Sequence, residues 1–377
     1  MTDVADVDAF RSTLRAWLAA HFTPAIAAAV RDRSDPGAFE AQRAWNATLV
    51  DAGYGAIAWP AEHGGRDAGL LEQIAYQEEI ARAGAPGPVN AIGVANIAPA
   101  IMACGTPGQQ ARFLRPMLRG DEIWSQGMSE PEAGSDLASL RCAAVVDGDD
   151  FVVNGQKTWN SNGDRADWCQ LFVRTNPEVA KHKGITCLLV DMRTPGIEAR
   201  PITTMAGDAG FSELFLTDVR VPRAALLGDV DDGWRVATRT LSSERAGVAG
   251  LYLSQRAKLD RLLEAAAPIR SAVARDALAR RYIEVRLLEL LAKRTLGAAL
   301  SGRPPGAEGS VVKLAWSLSD QALSNTAVDV LGLDALSDGW ATAFLSSRSL
   351  TIAGGTTEVN KNIIGERVLG LPKEPES

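Results

Sequence analysis

Three polar, glycine-containing segments carry the side chains best suited to binding and chemistry. Residues 124–137 read WSQGMSEPEAGSDL, residues 154–163 read NGQKTWNSNG, and residues 351–372 read TIAGGTTEVNKNIIGERVLGLP. Each has an ordinary structural interpretation too, because Pro131, Gly134 and Ser135 alone indicate a loop, and Trp159 alone is typical of a core strand. In a fourth segment, LSSERAGVAG, Glu244 lies near a predicted helix start, where an acidic side chain also suits the helix dipole. Residue types alone therefore leave both interpretations open.

The composition argues against several classes of chemistry and partner. The 377 residues carry a formal net charge of -7, whereas neutralising nucleic-acid phosphates needs a concentrated surplus of Lys and Arg. The histidines His21, His63 and His182 lie at no metal-ligand spacing, and the four cysteines form neither CxxC pairs nor a dense disulfide pattern. No apolar run reaches membrane-spanning length, and a signal-peptide pattern is absent. We expect a cytoplasmic protein with no metal, nucleic acid or membrane span.

A helical region is predicted to come first. Four apolar residues recur at i, i+4, i+7 and i+8, with Asp8 in a position to cap the helix: Phe10, Leu14, Trp17 and Leu18. A WPAEHGG loop follows, and LLEQIAYQEEIARAG resumes the helical period. Helices are expected to extend to about residue 119. Residues 1–120 are therefore predicted to form an N-terminal helical domain.

Strands and then more helices are predicted to follow. Residues 143–154 read AAVVDGDDFVVN, two short β-type runs around a turn, and LFVRT, ITCLLVDM and ELFLTDVRV are similar. The helical period returns at Gly233, and one face of a long amphipathic helix is lined by Ile283, Leu287, Leu290 and Leu291. The expected fold class is α+β. It has a β domain over 121–228 and a C-terminal helical domain over 229–377.

Taken as whole strings, the first two segments resemble the signatures of the acyl-CoA dehydrogenase family, in the family's order and at its spacing. Residues 351–372 and the loop around Trp59 fit the same family, so the resemblance covers nearly the whole chain. It implies the acyl-CoA dehydrogenase fold, bound FAD, an acyl-CoA substrate and a role in β-oxidation of fatty acids or steroid side chains. It also implies an electron-transfer flavoprotein as the partner that accepts electrons.

The resemblance assigns flavin contacts residue by residue. A flavin is a flat ring whose N and O edge needs hydrogen-bond donors and whose faces need apolar or aromatic walls. The first two segments are expected to provide these groups through Gln126, Met128, Ser129, Trp159 and Ser161. Ser135 resembles the family's contact to the CoA thioester, although a serine there also suits a helix N-cap.

The catalytic base has two family positions. An α C–H beside a thioester is a weak acid, so a base must be held against it, and a desolvated carboxylate suits this task. Many members place a glutamate directly before Gly-Thr, where this chain has Gly354. The branch that includes isovaleryl-CoA dehydrogenase places the base just before an arginine, and Glu244 with Arg245 matches it. The resemblance implies Glu244 as the base and Arg245, Gly354 and Gly355 as substrate contacts, the Gly354 N–H donating to the thioester carbonyl.

The resemblance also bears on subunit assembly. Family tetramers complete each flavin site with residues of a neighbouring subunit, commonly an RxxF motif and a Gln followed by a GGxG loop. Here Leu259 replaces the aromatic residue after Arg256, and DVLGLD has Asp329 near the glutamine position and retains Gly332. We therefore hypothesise an α2β2 heterotetramer with a related subunit, as in actinobacterial enzymes that act on steroid side chains, with a homotetramer as the alternative. The remaining implied flavin contacts are Arg256, Thr356 and Glu358.

Two other functions remain as alternatives. Flavin monooxygenases and nitroalkane oxidases share the fold, so the fold alone does not establish dehydrogenation. Their first segment generally diverges from SEPxAGSD, and they do not need Glu244. A non-catalytic subunit of a heterotetramer is the other alternative, suggested by the altered loop at 329–334, although Glu244 argues against it. The sequence leaves the acyl group open among short, branched, long and steroid-derived groups.

Overall fold

The computed structural model describes residues 4–31, 37–244, 251–301, 306–337 and 339–373. These residues divide into two units: unit 1 contains the described parts of 1–203 and 209–243, and unit 2 those of 204–208 and 244–377. Helices come first, a sheet follows, and helices return, so the predicted α+β fold class is confirmed. The domain boundaries at residues 120 and 228 stay a prediction.

Unit 1 begins with helices. They are α1 (Val4–His21), α2 (Pro24–Arg31), α3 (Ala38–Asp51), α4 (Leu70–Ala83), α5 (Ala98–Cys104) and α6 (Pro107–Arg119). The interpretation of Asp8 as an N-cap is wrong, because α1 begins a full turn earlier, and buried Val7 extends the apolar stripe in that direction. At α6, Thr106 and Gln109 form a capping box, and Gly120 at φ +80° ends the helix.

A seven-stranded sheet follows in unit 1. Its strands are β1 (Trp124–Gly127), β2 (Ala143–Asp147), β3 (Asp150–Ser161), β4 (Trp168–Arg174), β5 (Ile185–Asp191), β6 (Ile197–Ile202) and β7 (Phe211–Pro222). The order is β1-β4-β2-β3-β7-β6, and β5 also pairs with β4. The β1–β4 pair is parallel, whereas β3–β7, β4–β5 and β6–β7 are antiparallel.

Both faces of this sheet are buried. One face shares a core with α5 and α6, in which Phe113, Trp124 and Phe172 are buried. Helix α7 (Gly233–Glu244) joins this core through Val236. The opposite face has a separate core with these buried members: Phe151, Val153, Leu171, Leu214 and Val219. Burial on both faces fixes which strand residues point into each core, because side chains alternate along a strand.

Unit 2 is helical. It contains α8 (Leu251–Ala265), α9 (Ala272–Leu300), α10 (Glu308–Leu331), α11 (Trp340–Ser346) and α12 (Thr357–Ile363). Its core includes Leu259, Leu278, Val285, Leu323 and Trp340. Helix α9 thus turns Leu278 and Val285 inward, whereas three of the four apolar residues predicted to line one face are more than half exposed: Ile283, Leu287 and Leu290.

No described helix combines the length and the apolar character that crossing a membrane requires.

Candidate functional site

The first sequence segment contains strand β1 and the loop that follows it. Gln126 lies opposite Gln170 in the parallel β1–β4 pair, and its Nε2 donates to Gln170 Oε1 at 3.1 Å. Gln170 Nε2 in turn donates to Thr240 Oγ1 on α7 at 3.2 Å. Gln170 and Thr240 are fully buried. A buried hydrogen-bond chain therefore fixes the Gln126 side chain to both the sheet and α7.

The second segment is the irregular end of strand β3. The β3–β7 register shifts between Lys157 and Asn160, which leaves Trp159 in a bulge at φ +61°. A side chain other than glycine is strained at such a φ, at a cost of about 1 kcal/mol. The bulge aims the indole outward, so 58% of Trp159 is exposed although its neighbours Thr158 and Asn160 are buried.

Hydrogen bonds join the two segments into one surface. The Thr158 N–H donates to the Ser129 carbonyl at 2.9 Å. Asn160 Nδ2 donates to the Gln126 carbonyl at 2.8 Å, and Ser125 Oγ donates to the Ser161 carbonyl, also at 2.8 Å. The structure thereby brings together five predicted flavin contacts: Gln126, Met128, Ser129, Trp159 and Ser161.

Ser135 lies outside this hydrogen-bonded surface. It is exposed in a bend between the Glu130–Ala133 turn and a short 3₁₀ helix, Leu137–Ser139. The alternative interpretation of Ser135 as a helix N-cap is wrong, because Asp136 occupies that position. Ser135 therefore remains available to a ligand, and its predicted contact to the CoA thioester stays a prediction.

Unit 2 contains the third segment as a glycine turn that leads into α12. Gly354 and Gly355 have φ values of +65° and +91°, in the left-handed region that favours glycine. Lys313 Nζ and Asn360 Nδ2 both donate to the Gly355 carbonyl, at 2.5 and 2.9 Å. Thr356 Oγ1 caps α12 by accepting the Val359 N–H. Glu358 is exposed in the first turn of α12.

The remaining predicted residues have different surroundings. Arg256 is paired with Asp260 at 2.9 Å, and its guanidinium lies 6.0 Å from the Tyr282 ring centroid. Leu259, which replaces the family's aromatic residue, is fully buried in the core of unit 2. The interpretation of the Glu244 segment as a helix start is wrong, because Glu244 is the last residue of α7, which begins at Gly233. The Glu244 side chain and the whole of Arg245 lie outside the described residues.

Sequence reasoning missed the residues that support the first two segments. Lys157 is fully buried in β3, and its Nζ donates to Glu130 Oε1 at 2.8 Å and to the Met128 carbonyl at 3.2 Å. Gln170 and Thr240 were missed in the same way. Strand periodicity did not predict the burial of Lys157, because the alternation marked by buried Phe151 and Val153 is broken at exposed Gly155, where the β3–β7 register shifts.

Family models for the N-terminal, middle and C-terminal domains of acyl-CoA dehydrogenases match residues 5–121, 125–219 and 231–369. Acyl-CoA dehydrogenase IpdE1 of Mycobacterium tuberculosis is 40% identical, covering 98% of this chain and 99% of its own length. The chain belongs to the acyl-CoA dehydrogenase family. Members of this family are FAD-dependent flavoproteins, and the predictions of family, enzyme class and cofactor are confirmed.

Solved structures agree with this assignment. A chain of the Tcur3481-Tcur3483 steroid ACAD superimposes on this acyl-CoA dehydrogenase with a TM-score of 0.87 and 28% identity, covering 99% of both chains. A chain of the ChsE4-ChsE5 complex from Mycobacterium tuberculosis gives a TM-score of 0.84 and 33% identity, covering 99% of this chain and 100% of its own. The predicted acyl-CoA dehydrogenase fold is therefore confirmed.

The groups exposed on unit 1 of this acyl-CoA dehydrogenase fit a flavin. The Trp159 indole meets the edge of Phe211, with ring centroids 5.9 Å apart, and forms an aromatic wall. Within the described chain the Ser129 N–H has no acceptor. An aromatic wall together with an unpaired hydrogen-bond donor matches a flat ring with a polar edge. No group of three or more His, Cys, Asp or Glu among the described residues could hold a metal ion.

Proposed function

We propose that this acyl-CoA dehydrogenase removes two hydrogens across the α and β carbons of an acyl-CoA thioester and releases the 2-enoyl-CoA. The observation that carries the proposal is the hydrogen-bonded surface on which the 126–129 segment meets the β3 bulge and the exposed Trp159 indole. Bound FAD supplies the hydride acceptor. The chain's own residues bind the ring, orient the thioester and remove the α proton.

Glu244 is the proposed base. Residues four apart in a helix lie on one face, and Glu244 follows Thr240 by four positions in α7. Thr240 Oγ1 accepts a hydrogen bond from Gln170 Nε2, and Gln170 Oε1 accepts one from Gln126. Position 244 therefore lies on the same face of α7 as Thr240, which is linked through Gln170 to Gln126, a proposed flavin contact. Arg245, next in sequence, is the proposed substrate-side cation.

The glycine turn is the proposed binding site for the thioester carbonyl. The Gly354 N–H would donate to the carbonyl oxygen and stabilise the negative charge that develops there as the α proton leaves. Gly354 has no side chain to cover that N–H, and its φ of +65° disfavours a glutamate at this position. Lys313 and Asn360 hold the Gly355 carbonyl and so keep the turn in place. This arrangement supports a base supplied from another position, Glu244.

The other cofactor and substrate contacts are proposed residue by residue. Gln126, Met128, Ser129, Trp159 and Ser161 would hold a flavin ring, and Ser135 would contact the CoA thioester. Arg256, Thr356 and Glu358 are the proposed contacts to the non-ring part of a cofactor. Arg256 can leave its partner at little cost, because an exposed pair four residues apart contributes only about 0.3–0.5 kcal/mol.

We propose a heteromer with a related acyl-CoA dehydrogenase chain and a steroid-derived acyl group. Both structural neighbours described above are two-component assemblies, and one is described as a steroid ACAD. An exposed apolar stripe on α9, formed by Ile283, Leu287 and Leu290, supports a subunit contact, because such stripes on a helix are normally covered. An electron-transfer flavoprotein is the proposed electron acceptor.

The deciding test is anaerobic bleaching of the flavin absorbance by a panel of steroid-derived, branched and straight-chain acyl-CoAs. Wild type, Glu244→Gln and the matched control Glu264→Gln, an exposed glutamate of α8, would each be expressed alone and together with the product of the neighbouring gene. We expect bleaching by wild type and by the control, and a loss of about 10²–10⁴-fold in the bleaching rate for Glu244→Gln.

Each possible outcome tests a different claim of the proposal. Equal bleaching of Glu244→Gln would remove Glu244 from its role, whereas absence of bleaching by any thioester, despite bound FAD, would reject dehydrogenation. A homotetramer with one FAD per chain and full activity would reject the heteromer. Preference for a straight-chain substrate would reject the steroid-derived group.

A further inference from the structure

A buried ion pair lies directly beneath the proposed flavin-binding loop and has no role in the reaction as proposed above. Lys157 is fully buried in β3, and the Glu130 side chain is 9% exposed. Their Nζ and Oε1 atoms are 2.8 Å apart. Burying two charges costs several kcal/mol for each ion, and an apolar pair of equal volume often stabilises a fold as well or better. Stability alone is therefore a weak explanation for this pair.

The pair is fully hydrogen-bonded on the carboxylate side. Glu130 Oε1 also accepts the Cys142 N–H at 2.8 Å, and Oε2 accepts the Arg141 N–H at 2.6 Å. The carboxylate thus has three donors, two of them backbone N–H groups just before β2. These contacts fix Glu130, and Glu130 in turn fixes the ammonium group of Lys157.

The ammonium group also determines how the loop presents its backbone. Three successive carbonyls are occupied by protein donors: that of Met128 by Lys157 Nζ, that of Ser129 by the Thr158 N–H, and that of Glu130 by the Ala133 N–H. In a planar trans peptide the C=O and the following N–H point in opposite directions. Because Lys157 binds the Met128 carbonyl, the Ser129 N–H points away from Lys157, and within the described chain it has no acceptor.

We propose that the Lys157–Glu130 pair is a positioning device for the flavin: it orients the 128–129 peptide so that the Ser129 N–H is aimed at the polar edge of the ring. The proposal rests on Ser129 being a flavin contact, as put forward above. A cation bound to the carbonyl also polarises the peptide and strengthens its N–H as a donor. Charge and hydrogen bonds near the ring nitrogens tune a flavin's electronics, so the pair acts on the reduction potential.

The two charges predict opposite effects when they are removed singly. Lys157→Met leaves a buried anion near the ring, disfavours the reduced flavin and lowers the midpoint potential. Glu130→Gln leaves a buried cation and raises it. The double variant restores neutrality and returns the potential toward wild type, but it still binds FAD more weakly, because the Met128 carbonyl has lost its donor. A purely structural pair would lower the melting temperature of both single variants and leave the midpoint potential unchanged.

The experiment measures the flavin midpoint potential by dye-coupled anaerobic reduction, together with FAD affinity and the melting temperature of the apoprotein. Lys181→Met is the matched control, because Lys181 forms an exposed ion pair with Asp136 at 2.8 Å nearby. We expect each single variant to change the ratio of affinities for reduced and oxidised flavin about tenfold, in opposite directions. A tenfold ratio is about 30 mV for a two-electron couple. The control should leave the potential unchanged.

Shifts of the same sign, or unchanged potentials with altered melting temperatures alone, would overturn the proposal. If Lys157→Met yields no folded protein, Glu130→Gln decides alone: a positive shift supports the device and a zero or negative shift rejects it. The proposed function fails independently, because it depends on bleaching of the wild-type flavin by acyl-CoA.

Discussion

Glu79 gives the sharpest test of an electrostatic contribution to this fold. The residue lies on α4 with its side chain 1% exposed, and it receives three guanidinium groups: those of Arg11 at 3.1 Å, Arg15 at 2.9 Å and Arg82 at 2.7 Å. Hydrogen bonds from Arg15, then from Arg11, outweigh the effect of burial and lower the pKa of Glu79 from 4.5 to about 2. Glu79→Gln keeps the shape of the side chain and removes its charge.

The size of the effect follows from that pKa difference. A gap between 4.5 and about 2 corresponds to roughly 3 kcal/mol. Solvent screens the half-exposed guanidinium groups of Arg15 and Arg82 and reduces this to about 2–3 kcal/mol. Because the folded-state pKa is depressed, the stabilisation is complete above about pH 4.5. It declines as the pH falls from there towards about 2, where the carboxylate is protonated in both states.

The assay is urea-induced unfolding of wild type, Glu79→Gln and Glu78→Gln at pH 7, 4.5 and 3. Glu78 is the matched control, because it is 30% exposed and pairs with Arg11 at 2.7 Å. We expect Glu79→Gln to lower the free energy of unfolding by about 2–3 kcal/mol at pH 7 and by less than half of that at pH 3. Glu78→Gln should cost at most about 1 kcal/mol. A Glu79→Gln deficit that stays constant with pH, or one no larger than that of Glu78→Gln, would refute the reasoning.

Three further predictions concern the site and its surroundings. Trp159→Gly should change the apoprotein's melting temperature little, because relief of the strain at φ +61° offsets the lost contact with Phe211. The same substitution should weaken FAD binding about tenfold by titration, and tight FAD binding would contradict the indole's role. Gln170→Leu leaves Gln126 and Thr240 without their hydrogen bonds to Gln170. It should lower the free energy of unfolding, measured in urea, by about 1–3 kcal/mol. An unchanged free energy of unfolding would show that this buried hydrogen-bond chain is dispensable for stability. Burial raises the pKa of Cys142 to about 11 and that of Cys169 to about 12. At pH 8 a thiol reagent should therefore modify the partly exposed Cys104 in the native protein and those two only after unfolding; their rapid native modification would contradict the burial.

Local patterns in the sequence determined most of the element order. The helical period located α4 and α9, and the predicted end of the N-terminal helices at about residue 119 coincides with the end of α6 at Arg119. Strands β1 and β6 were missed. The four residues of β1 lie in a Ser- and Gly-containing segment, and β6 contains Pro201, which a strand tolerates at the sheet edge where β6 lies. Such strands have too little alternation of apolar and polar residues to be predicted from the sequence alone, without knowing which strands they pair with.

The sequence by itself also determined the family, because whole strings at fixed spacing are specific where single residues are not. Only the tertiary structure decided which buried side chains hold those segments in place. Lys157 and Glu130 are 27 positions apart, and Gln170 and Thr240 are 70 apart. Their pairings form where strands and helices meet, so no local period predicts them. The face of α9 that packs inward was likewise decided by contacts with other helices, because an apolar stripe has the same appearance whether a core or a partner chain covers it.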